Sequence, residues 1–530
     1  MTTADLLIIG AGSAGCVLAE RLSRDPSRRV LVVEAGPTND HLFIRMPAAV
    51  AKAIGSPRFN WQYQTAPLRH LGGRGLSTPR GRVLGGSSSI NALVYIRGNA
   101  WDYDNWAALG CPGWDYESVL PYFRAVEANA LGAGPYHGDA GPLTVSHPES
   151  ESPAFEAFIA AGETLGHPRN PDFNGSAQAG FGPFQLNIRD GRRWSAADAF
   201  LLPAAQRPNL TLRTDARAIG LTASGSRITG AALAGRGGVE AVTAGDVVLA
   251  AGAIGSPHLM LLSGIGPGDH LRAYGIGIVA DAPGVGAGLH DHLEVKVKHR
   301  MTRPWSMWSH ARFPNWLWTG ARYLATGQGA GRQQGLEAGA FLSLDPSAPA
   351  PDTQLHFINA LSFDGGTAAD RGHGYAIDVT HTRPESRGTL TLTSTDPGIP
   401  PRIDPNYLSE DTERRMMRDG LKLLRALCRQ PALAKISGPE LQPGPEVQTD
   451  DALDAYIRRT AESIYHPVGT ARMGVDAAAV VDPATMAVKG VDNLYLADAS
   501  VMPQLVSGNT HAASVMIGTK GADLIAAAIG

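Results

Sequence analysis

Three glycines near the amino terminus constrain the fold of this chain more than any other feature. They are Gly10, Gly12 and Gly15, and they lie between a short apolar run and a predicted helix at residues 14–24. This spacing lets the backbone turn tightly, approach a pyrophosphate closely and pack a helix against a strand. With a second apolar run at residues 30–33, the pattern predicts a parallel strand–helix–strand unit that binds a dinucleotide.

Glu34 adds a second element to this pattern, because it follows the second predicted strand, nineteen residues after Gly15. A carboxylate at this position accepts hydrogen bonds from a ribose diol and repels a 2′-phosphate, which argues against NADP. The helix amino terminus offers free N–H groups to the phosphates. The motif alone does not separate NAD from FAD, so both cofactors stay open at this point.

Composition excludes several classes of protein. The chain has 530 residues and a formal net charge of −3, so it is too long for one ordinary domain and has no basic surplus that indicates nucleic acid. We find no apolar run long enough for a transmembrane helix and no signal peptide. The cysteines Cys16, Cys111 and Cys428 are few and scattered, which predicts a reduced, cytoplasmic protein without disulfides or a metal site.

The composition and the hydrophobic pattern of the sequence change along the chain. Residues 47–97 are rich in glycine and proline and indicate a loop that covers a cofactor or a substrate. Residues 209–249 alternate as strands, whereas residues 302–463 combine short alternating strands with a charged amphipathic helix. The last 20 residues read as a closing helix. We therefore expect a second sheet-plus-helix domain inserted before the carboxyl terminus.

Four later segments resemble one enzyme family. They are "GRVLGGSSSIN" at residues 81–91, "GAIGSPHLMLLSGIG" at 252–266, "YHPVGTARMG" at 465–474 and "LADASVMP" at 496–503. With the opening glycines they resemble, in order and over nearly the whole chain, the glucose–methanol–choline (GMC) flavoprotein oxidoreductases. The resemblance implies non-covalently bound FAD and oxidation of a primary alcohol to the aldehyde by hydride transfer to flavin N5.

The resemblance also implies the architecture, an α/β (α+β) fold of two discontinuous domains. A Rossmann-like FAD-binding domain is expected at residues 1–155, 200–300 and 464–530. A substrate-binding domain, built on an antiparallel sheet with helices, is expected at residues 156–199 and 301–463.

Residues that match the family's cofactor contacts lie in each of these motifs. The cofactor-binding residues implied by the resemblance are Gly10, Gly12, Ser13, Ala14, Gly15, Glu34, Ala35, Arg82, Gly85, Gly86, Ser87, Asn91, Ala92, Val94, Ala216, Ala251, Gly252, Asp498, Ala499, Asn509 and Thr510. At Ile90 the choline oxidase branch carries a histidine that bonds covalently to the flavin. Isoleucine cannot form that bond, so FAD is expected to dissociate.

Two histidines are the candidate catalytic residues. A neutral imidazole suits removal of a hydroxyl proton, because its ordinary pKa lies near working pH. His466 precedes Pro467 and His511 lies in "GNTHAAS". The family pattern places a histidine and a second His or Asn at the flavin, which assigns His466 as the main base and His511 as its partner, with the roles open to exchange.

The substrate is less constrained by the sequence. Trp61, Glu337 and Tyr465 resemble the aromatic cage and glutamate that hold a quaternary ammonium group in choline-oxidising relatives, and cation–π attraction favours such a group. A second histidine at His511 is instead typical of aryl-alcohol-type members. We therefore expect an apolar, aromatic or small aliphatic alcohol, with a choline-like alcohol as the alternative. An aromatic, basic stretch at residues 303–318 is interpreted as a lid over the substrate, or else as a partner contact.

Other classes remain open at this stage. An NAD-dependent dehydrogenase explains the first motif but none of the later ones, and a lyase that keeps FAD for structure shares the fold. Oxygen and an electron carrier are both open as the final acceptor, and a homo-oligomer is also left open.

Overall fold

The computed structural model describes residues 2–149, 152–361 and 371–530, which form two large sheets and their surrounding helices. The first sheet has a parallel centre. Its strands, in spatial order, are Leu210–Arg213, Val30–Val33, Thr2–Ile9, Gly238–Leu249, Arg227–Gly235 and Arg217–Ser224, and Leu494–Leu496 pairs with the end of Gly238–Leu249.

The expected strand–helix–strand unit is present at the amino terminus. Thr2–Ile9 pairs in parallel with both Val30–Val33 and Gly238–Leu249, and the helix between the first two strands is Ser13–Leu22. All four side chains of Val30–Val33 are buried, as expected for a continuous apolar run inside a sheet covered on both faces. The strands Arg217–Ser224 and Arg227–Gly235 form an antiparallel hairpin that extends the sheet.

The second sheet is antiparallel throughout. Its strands, in order, are Ser437–Gln442, Leu293–Met301, Gly374–His381, Thr353–Ile358, Ala338–Leu342 and Gly180–Pro183, and Glu462–Ser463 pairs with the start of Leu293–Met301. The charged amphipathic pattern forms the helix Asp411–Cys428, whose apolar face packs on this sheet. Gly420 lets this helix approach the strand Gly374–His381 closely, since a Cβ at Gly420 would lie 2.6 Å from a Val379 methyl carbon.

The remaining helices surround the two sheets. Those of nine or more residues are Ala100–Ala108, Tyr116–Val126, Pro153–Thr164, Gly252–Leu262, Asn315–Thr326, Asp450–Thr460 and His511–Ile529. Short helices lie at Leu42–Arg45, Val50–Ile54, Leu202–Ala204, Gly268–Ala273, Trp308–Ala311 and Pro431–Ala434.

The closing helix His511–Ile529 is long and apolar enough to cross a membrane, which the sequence reading did not anticipate. Among the described residues it is the single helix of this kind, and 61% of its apolar window is buried inside the fold. It packs against the helix Ser13–Leu22, where Gly518 brings the two backbones close together. Its hydrophobicity is therefore accounted for by burial between elements of this chain.

One predicted domain boundary does not coincide with the division between the sheets. The expected FAD domain extends to residue 300, but Leu293–Met301 lies within the second sheet, between Ser437–Gln442 and Gly374–His381. By strand pairing, residues 293–300 belong with the second sheet, and the domain boundaries themselves stay a prediction. The glycine- and proline-rich stretch at residues 283–288 lies just before this strand and was the available signal.

Candidate active site

A cavity of about 2140 Å³ runs from the glycine turn of the first sheet to the inner face of the second sheet. Its walls include Gly12 and Glu34 at one end, and His356 and Asp378 of the second sheet at the other. A cavity of this size and length suits an extended dinucleotide together with a small substrate.

The three opening glycines serve different purposes in this geometry. Gly10 has a φ of +101°, and a Cβ there would lie 2.5 Å from the Ala250 carbonyl oxygen. A Cβ on Gly15 would lie 1.9 Å from the Gly10 carbonyl oxygen, so these two glycines are required by the protein itself. A Cβ on Gly12 would meet protein atoms only at 3.9 Å or beyond and would point into the cavity region. The space at Gly12 is therefore available for a ligand's phosphates.

Glu34 lies at the same end of the cavity and is buried. Its Oε2 accepts the Ala11 N–H at 3.1 Å, and its Oε1 accepts the Gly36 N–H at 2.9 Å, which fixes the carboxyl group beside the glycine turn. Burial raises the pKa of Glu34 to about 7. A carboxylate has about four acceptor positions, so both oxygens can also accept hydrogen bonds from a ribose diol.

The second motif, residues 81–91, forms a tight turn over the cavity. Gly86 has a φ of +54°, and a Cβ there would lie 2.7 Å from the Gly12 Cα, so the two glycine turns touch. The buried Arg193 holds the end of this turn: its guanidinium donates to the Ser88 carbonyl oxygen and to the Asn91 Oδ1. Nothing in the sequence motif indicated this role for Arg193.

Asp498 joins two of the later motifs. Its Oδ2 accepts the Gly252 N–H at 2.8 Å and the Ser256 hydroxyl at 2.6 Å. Its Oδ1 accepts the N–H and hydroxyl of Ser500. The segments 252–266 and 496–503 are thereby held together on one wall of the cavity.

Most of the cofactor-binding residues expected from the sequence lie along this cavity. Those that line it are Gly10, Gly12, Ser13, Ala14, Glu34, Ala35, Gly86, Ser87, Asn91, Ala92, Val94, Ala216, Ala251, Gly252, Asp498, Ala499, Asn509 and Thr510. Gly15, Arg82 and Gly85 do not line it and instead support the turns from behind. The open space at Gly12 and the donors around it fit a bound FAD.

His466 lies on the cavity wall and is held from two sides. Its backbone N–H donates to Asp291 Oδ1 at 2.6 Å, and Asp291 Oδ2 in turn accepts the Ser463 and Tyr407 hydroxyls. Its ring Nδ1 lies 3.0 Å from Nδ1 of His292. Burial, with the nearby His292 and Arg80, keeps the pKa of His466 well below its ordinary value, so the ring is neutral at neutral pH.

The hydrogen bonds of His292 determine which nitrogen of His466 carries the proton. Nε2 of His292 lies 2.9 Å from the Thr382 carbonyl oxygen, which only accepts, so this nitrogen must donate. Burial lowers the pKa of His292 to about 3, so the ring is neutral and its Nδ1 is an acceptor. His466 must therefore donate from Nδ1, and its Nε2 presents a lone pair to the cavity.

Asn509, and not His511, lies next to that lone pair. The Asn509 Nδ2 is 3.2 Å from His466 Nε2, and its Oδ1 accepts a hydrogen bond from Gln354. The family motif predicted His511 in this position. The reason for the difference is helix geometry: His511 is the first residue of the closing helix, two positions beyond Asn509, and its ring turns toward the glycine turn.

His511 instead contacts the amino terminus of the first helix. Its Nδ1 lies 2.9 Å from the Ser13 hydroxyl oxygen, and it lines the cavity with 8% of its surface exposed. Its Nε2 is buried and has no hydrogen-bond partner among the described residues. Burial lowers the pKa of His511 to about 4. This unsatisfied nitrogen beside Ser13 is a second observation that fits a bound dinucleotide.

Two of the three substrate residues expected from the sequence line the cavity, and the third does not. Tyr465 lines the cavity beside His466, with a φ of +70°. Trp61 also lines the cavity, but it packs between the guanidinium groups of Arg82 and Arg217, at 5.7 and 5.1 Å. Glu337 is buried just before the strand Ala338–Leu342 and is not part of the cavity wall. The prediction that Glu337 binds the substrate is therefore not supported by its position.

Two other carboxyl groups lie on the substrate side of the cavity, and the sequence reading missed both. Glu294 lies near the start of the strand Leu293–Met301, two residues after His292, and Asp378 lies on the neighbouring strand. The two carboxyl groups share a hydrogen bond, Asp378 also bonds His356 at 2.8 Å, and Glu294 pairs with Lys296 at 2.7 Å. The alternation of Glu294, Lys296 and Lys298 along the strand Leu293–Met301 was the available signal, because it puts these three side chains on one face.

The dinucleotide cavity and the neutral histidine at its other end fit a cofactor-dependent oxidoreductase. Two family models described as GMC oxidoreductase match residues 4–294 and 384–518. The chain belongs to the GMC oxidoreductase family, and it is an FAD-dependent oxidoreductase that acts on alcohols. The family expected from the sequence is confirmed, as are the fold class and FAD.

Curated relatives and solved structures agree with this placement. The chain is 43% identical to the oxygen-dependent choline dehydrogenase of Sinorhizobium fredii, over 98% of this chain and 95% of the relative. It is also 43% identical to human mitochondrial choline dehydrogenase, over 98% of this chain and 89% of that protein. The crystal structure of pyridoxine 4-oxidase from Mesorbium loti matches with a TM-score of 0.88 at 35% identity, over 98% of both chains. A formate oxidase variant from Aspergillus oryzae matches with a TM-score of 0.93 at 26% identity, over 99% of this chain and 98% of that one.

Proposed function

We propose that this enzyme oxidises the primary alcohol of a choline-like, quaternary-ammonium substrate to the aldehyde, with His466 as the base. The observation that carries the proposal is the array of His292, His466 and Asn509, which presents one neutral acceptor nitrogen and one amide donor to the same point of the cavity. FAD, when bound, accepts the hydride and its two electrons from the alcohol carbon.

The chain's own residues handle the proton in this reaction. The substrate hydroxyl donates to Nε2 of His466, and the proton moves to that nitrogen as the hydride leaves the adjacent carbon. The Asn509 amide N–H donates to the substrate oxygen and stabilises the negative charge that develops there. Asp291 and His292 keep the imidazole in the required orientation and tautomer.

The relatives favour the quaternary-ammonium alternative over the apolar or aromatic alcohol that was our main expectation. Both curated relatives are named as choline dehydrogenases. The position of Asn509 also removes the argument that a histidine pair indicates an aryl alcohol. Glu294 and Asp378 offer the cation a pair of buried carboxyl groups on the cavity wall near His466.

Substitution of His466 tests the proposed base. We expect His466→Ala to bind FAD like the wild type and to lose reduction of the flavin by choline by at least about a hundredfold in anaerobic stopped flow. The matched control is His70→Ala, a histidine on the surface outside the cavity lining, which should behave like the wild type. Reduction of the H466A flavin at the wild-type rate would exclude His466 as the base.

The electron acceptor is the second part of the proposal. The name of the Sinorhizobium fredii relative includes "oxygen-dependent", and we infer that oxygen reoxidises the flavin here as well. Peroxide formation during choline turnover, compared with reduction of an artificial dye, tests this inference. Turnover with the dye and without peroxide would identify a dehydrogenase that needs another carrier. The cytoplasmic location and the homo-oligomer stay predictions.

A further inference from the structure

In the helix Asn315–Thr326, most of the large apolar residues are exposed to solvent instead of being buried against the protein. Its only buried residue is Tyr323. Leu317, Trp318 and Leu324, with side chains 46%, 75% and 67% exposed, lie on the outward face together with the exposed Ala321 and Ala325. These positions recur at spacings of three and four residues, so they share one face of the helix. We call this face the outer face.

The charged side chains of the segment that carries the outer face have one sign. The mouth segment, defined as residues 303–326, contains four of the nine tryptophans of the chain and no aspartate or glutamate. Arg303, Arg312 and Arg322 in this segment are exposed and form no ion pair within the described residues. Exposed aromatic and aliphatic side chains beside unpaired arginines are the composition of helices that lie in the interface of an anionic membrane.

The mouth segment also borders the active-site cavity. Trp308 and Trp316 line the cavity, and Phe313 lines it while 77% of its surface is exposed. The inner face of the helix thus closes part of the cavity entrance, and the outer face points away from the protein. The lid interpreted from the sequence matches only the inner face.

We propose that the outer face of the helix Asn315–Thr326 docks on an anionic membrane surface, which places the cavity entrance at the lipid interface. The apolar residues enter the boundary between headgroups and acyl chains, and the arginines pair with lipid phosphates. This interaction is peripheral and is separate from the buried closing helix.

A second copy of the chain fits this surface less well than an anionic membrane does. In a twofold-symmetric dimer the same patch faces itself, so Arg312 and Arg322 would approach the same arginines of the other copy. The described mouth segment supplies no carboxylate to neutralise them. An anionic lipid surface supplies the complementary charge.

Vesicle sedimentation of the FAD-loaded, full-length enzyme tests the proposal. We expect the wild type to sediment with phosphatidylcholine vesicles that contain about 30% phosphatidylglycerol, and to bind pure phosphatidylcholine vesicles about tenfold more weakly. The double variant Leu317→Ser, Trp318→Ser should weaken binding to the anionic vesicles about tenfold or more. Tryptophan emission of the wild type should shift to shorter wavelength on binding.

Two further variants separate charge from hydrophobicity and from general effects of substitution. Arg312→Gln with Arg322→Gln should reduce the dependence of binding on salt. Val239→Ser with Val475→Ser replaces two residues of similar exposure, 68% and 69%, outside the mouth segment, and should bind like the wild type. All variants should keep wild-type activity with a soluble dye, since none of these positions lines the cavity.

Three results would overturn the proposal. The first is a wild type that stays in the supernatant with anionic vesicles. The second is a Leu317→Ser, Trp318→Ser variant that binds them as tightly as the wild type. The third is a wild-type dimer in sedimentation velocity that this variant converts to a monomer, because the outer face would then be covered by a second copy.

Discussion

At the scale of single residues, the chemistry depends on the hydrogen-bond order from the Thr382 carbonyl through His292 to His466. The carbonyl fixes the proton on one ring, and that ring fixes the proton on the next. His292 touches neither the alcohol position nor the predicted flavin site, so it is a positioning residue. Sequence reasoning found His466 from its motif but gave no reason to select His292.

The pH dependence of flavin reduction should report the buried state of His466. Because burial keeps the pKa of His466 well below its ordinary value, the base is neutral throughout the neutral range and is lost only when acid protonates it. We expect the rate of flavin reduction at saturating substrate to be flat from about pH 6.5 to 9 and to fall only at lower pH. A midpoint near the ordinary histidine value would contradict this assignment.

Replacement of His292 should lower the catalytic rate more than it lowers the binding of FAD. In His292→Asn the ring acceptor is lost and His466 is free to adopt the other tautomer, so we expect kcat to fall about tenfold to a hundredfold with little change in FAD content. The midpoint of the pH profile should also move, which a purely structural defect would not produce. An unchanged profile and rate would remove the positioning role.

His511 should act on the cofactor and not on the alcohol. Its buried Nε2 and its contact with Ser13 place it at the dinucleotide, so His511→Ala should weaken FAD binding about tenfold, the value of one hydrogen bond. Titration of apoprotein with FAD, followed by flavin fluorescence, measures this directly. His466→Ala is the control and should bind FAD normally; the reverse pattern would restore His511 to the catalytic pair.

Glu294 should select the charge of the substrate. Burial raises the pKa of Glu294 although Lys296 lies 2.7 Å away, and a bound cation favours the ionised carboxylate, so KM for choline should fall as pH rises. Glu294→Gln should raise KM for choline about tenfold or more and leave KM for its neutral isostere 3,3-dimethylbutan-1-ol nearly unchanged. Equal effects on both alcohols would show that Glu294 does not contact the cation.

At the scale of elements, the two glycine turns and the closing helix form the cofactor site jointly. The first turn follows the strand Thr2–Ile9, the second turn contacts it at Gly86, and His511 reaches it from the start of the closing helix. The sequence predicted each element from local patterns. Their mutual contacts join distant residues, Gly12 with Gly86 and Ser13 with His511, and have no local signal.

Alanine substitutions in the first glycine turn should distinguish a glycine that leaves room for the ligand from a glycine that the protein backbone itself requires. Gly12→Ala meets no protein atom closely, so the apoprotein should keep its thermal stability while FAD affinity falls by about a hundredfold or more. Gly10→Ala combines a φ of +101° with a carbonyl contact at 2.5 Å and should destabilise the apoprotein by roughly 2–4 kcal/mol. Calorimetry of both apoproteins makes the comparison; similar losses of stability would contradict it.

At the scale of the whole molecule, the cavity is shared by the two sheets. The first sheet supplies the dinucleotide end, and the second supplies Glu294 and Asp378. His466 lies on the segment that returns from the second sheet to the first, and Asp291 and His292 lie on the segment that leaves the first. Base and positioning residue therefore meet where the chain crosses between the sheets.

FAD should be removable from the protein, and added FAD should stabilise the whole apoprotein again. Ile90 lines the cavity at the position where a covalent bond to the flavin is expected in the choline oxidase branch, and its side chain offers no nucleophile. Acid precipitation should leave the yellow colour in the supernatant, and a hundredfold excess of FAD over its Kd should then stabilise apoprotein by about 2.7 kcal/mol. Colour that stays with the precipitate would show a covalent link elsewhere.

The family and the cofactor can be read from the sequence, and His466 is predicted from it as the base, because each depends on a short motif whose residues are neighbours in the chain. Gly10, Gly12, Gly15 and His466 could be read in this way. The folded chain shows that Asn509 lies beside Nε2 of His466, where His511 was expected, and that Nδ1 of His292 contacts Nδ1 of His466. It also shows that Glu294 lines the cavity whereas Glu337 does not. The physical reason is that a helix start or a strand face fixes side-chain direction within one or two residues, and the sheet pairing that aims those directions at one point is set by contacts between distant parts of the chain.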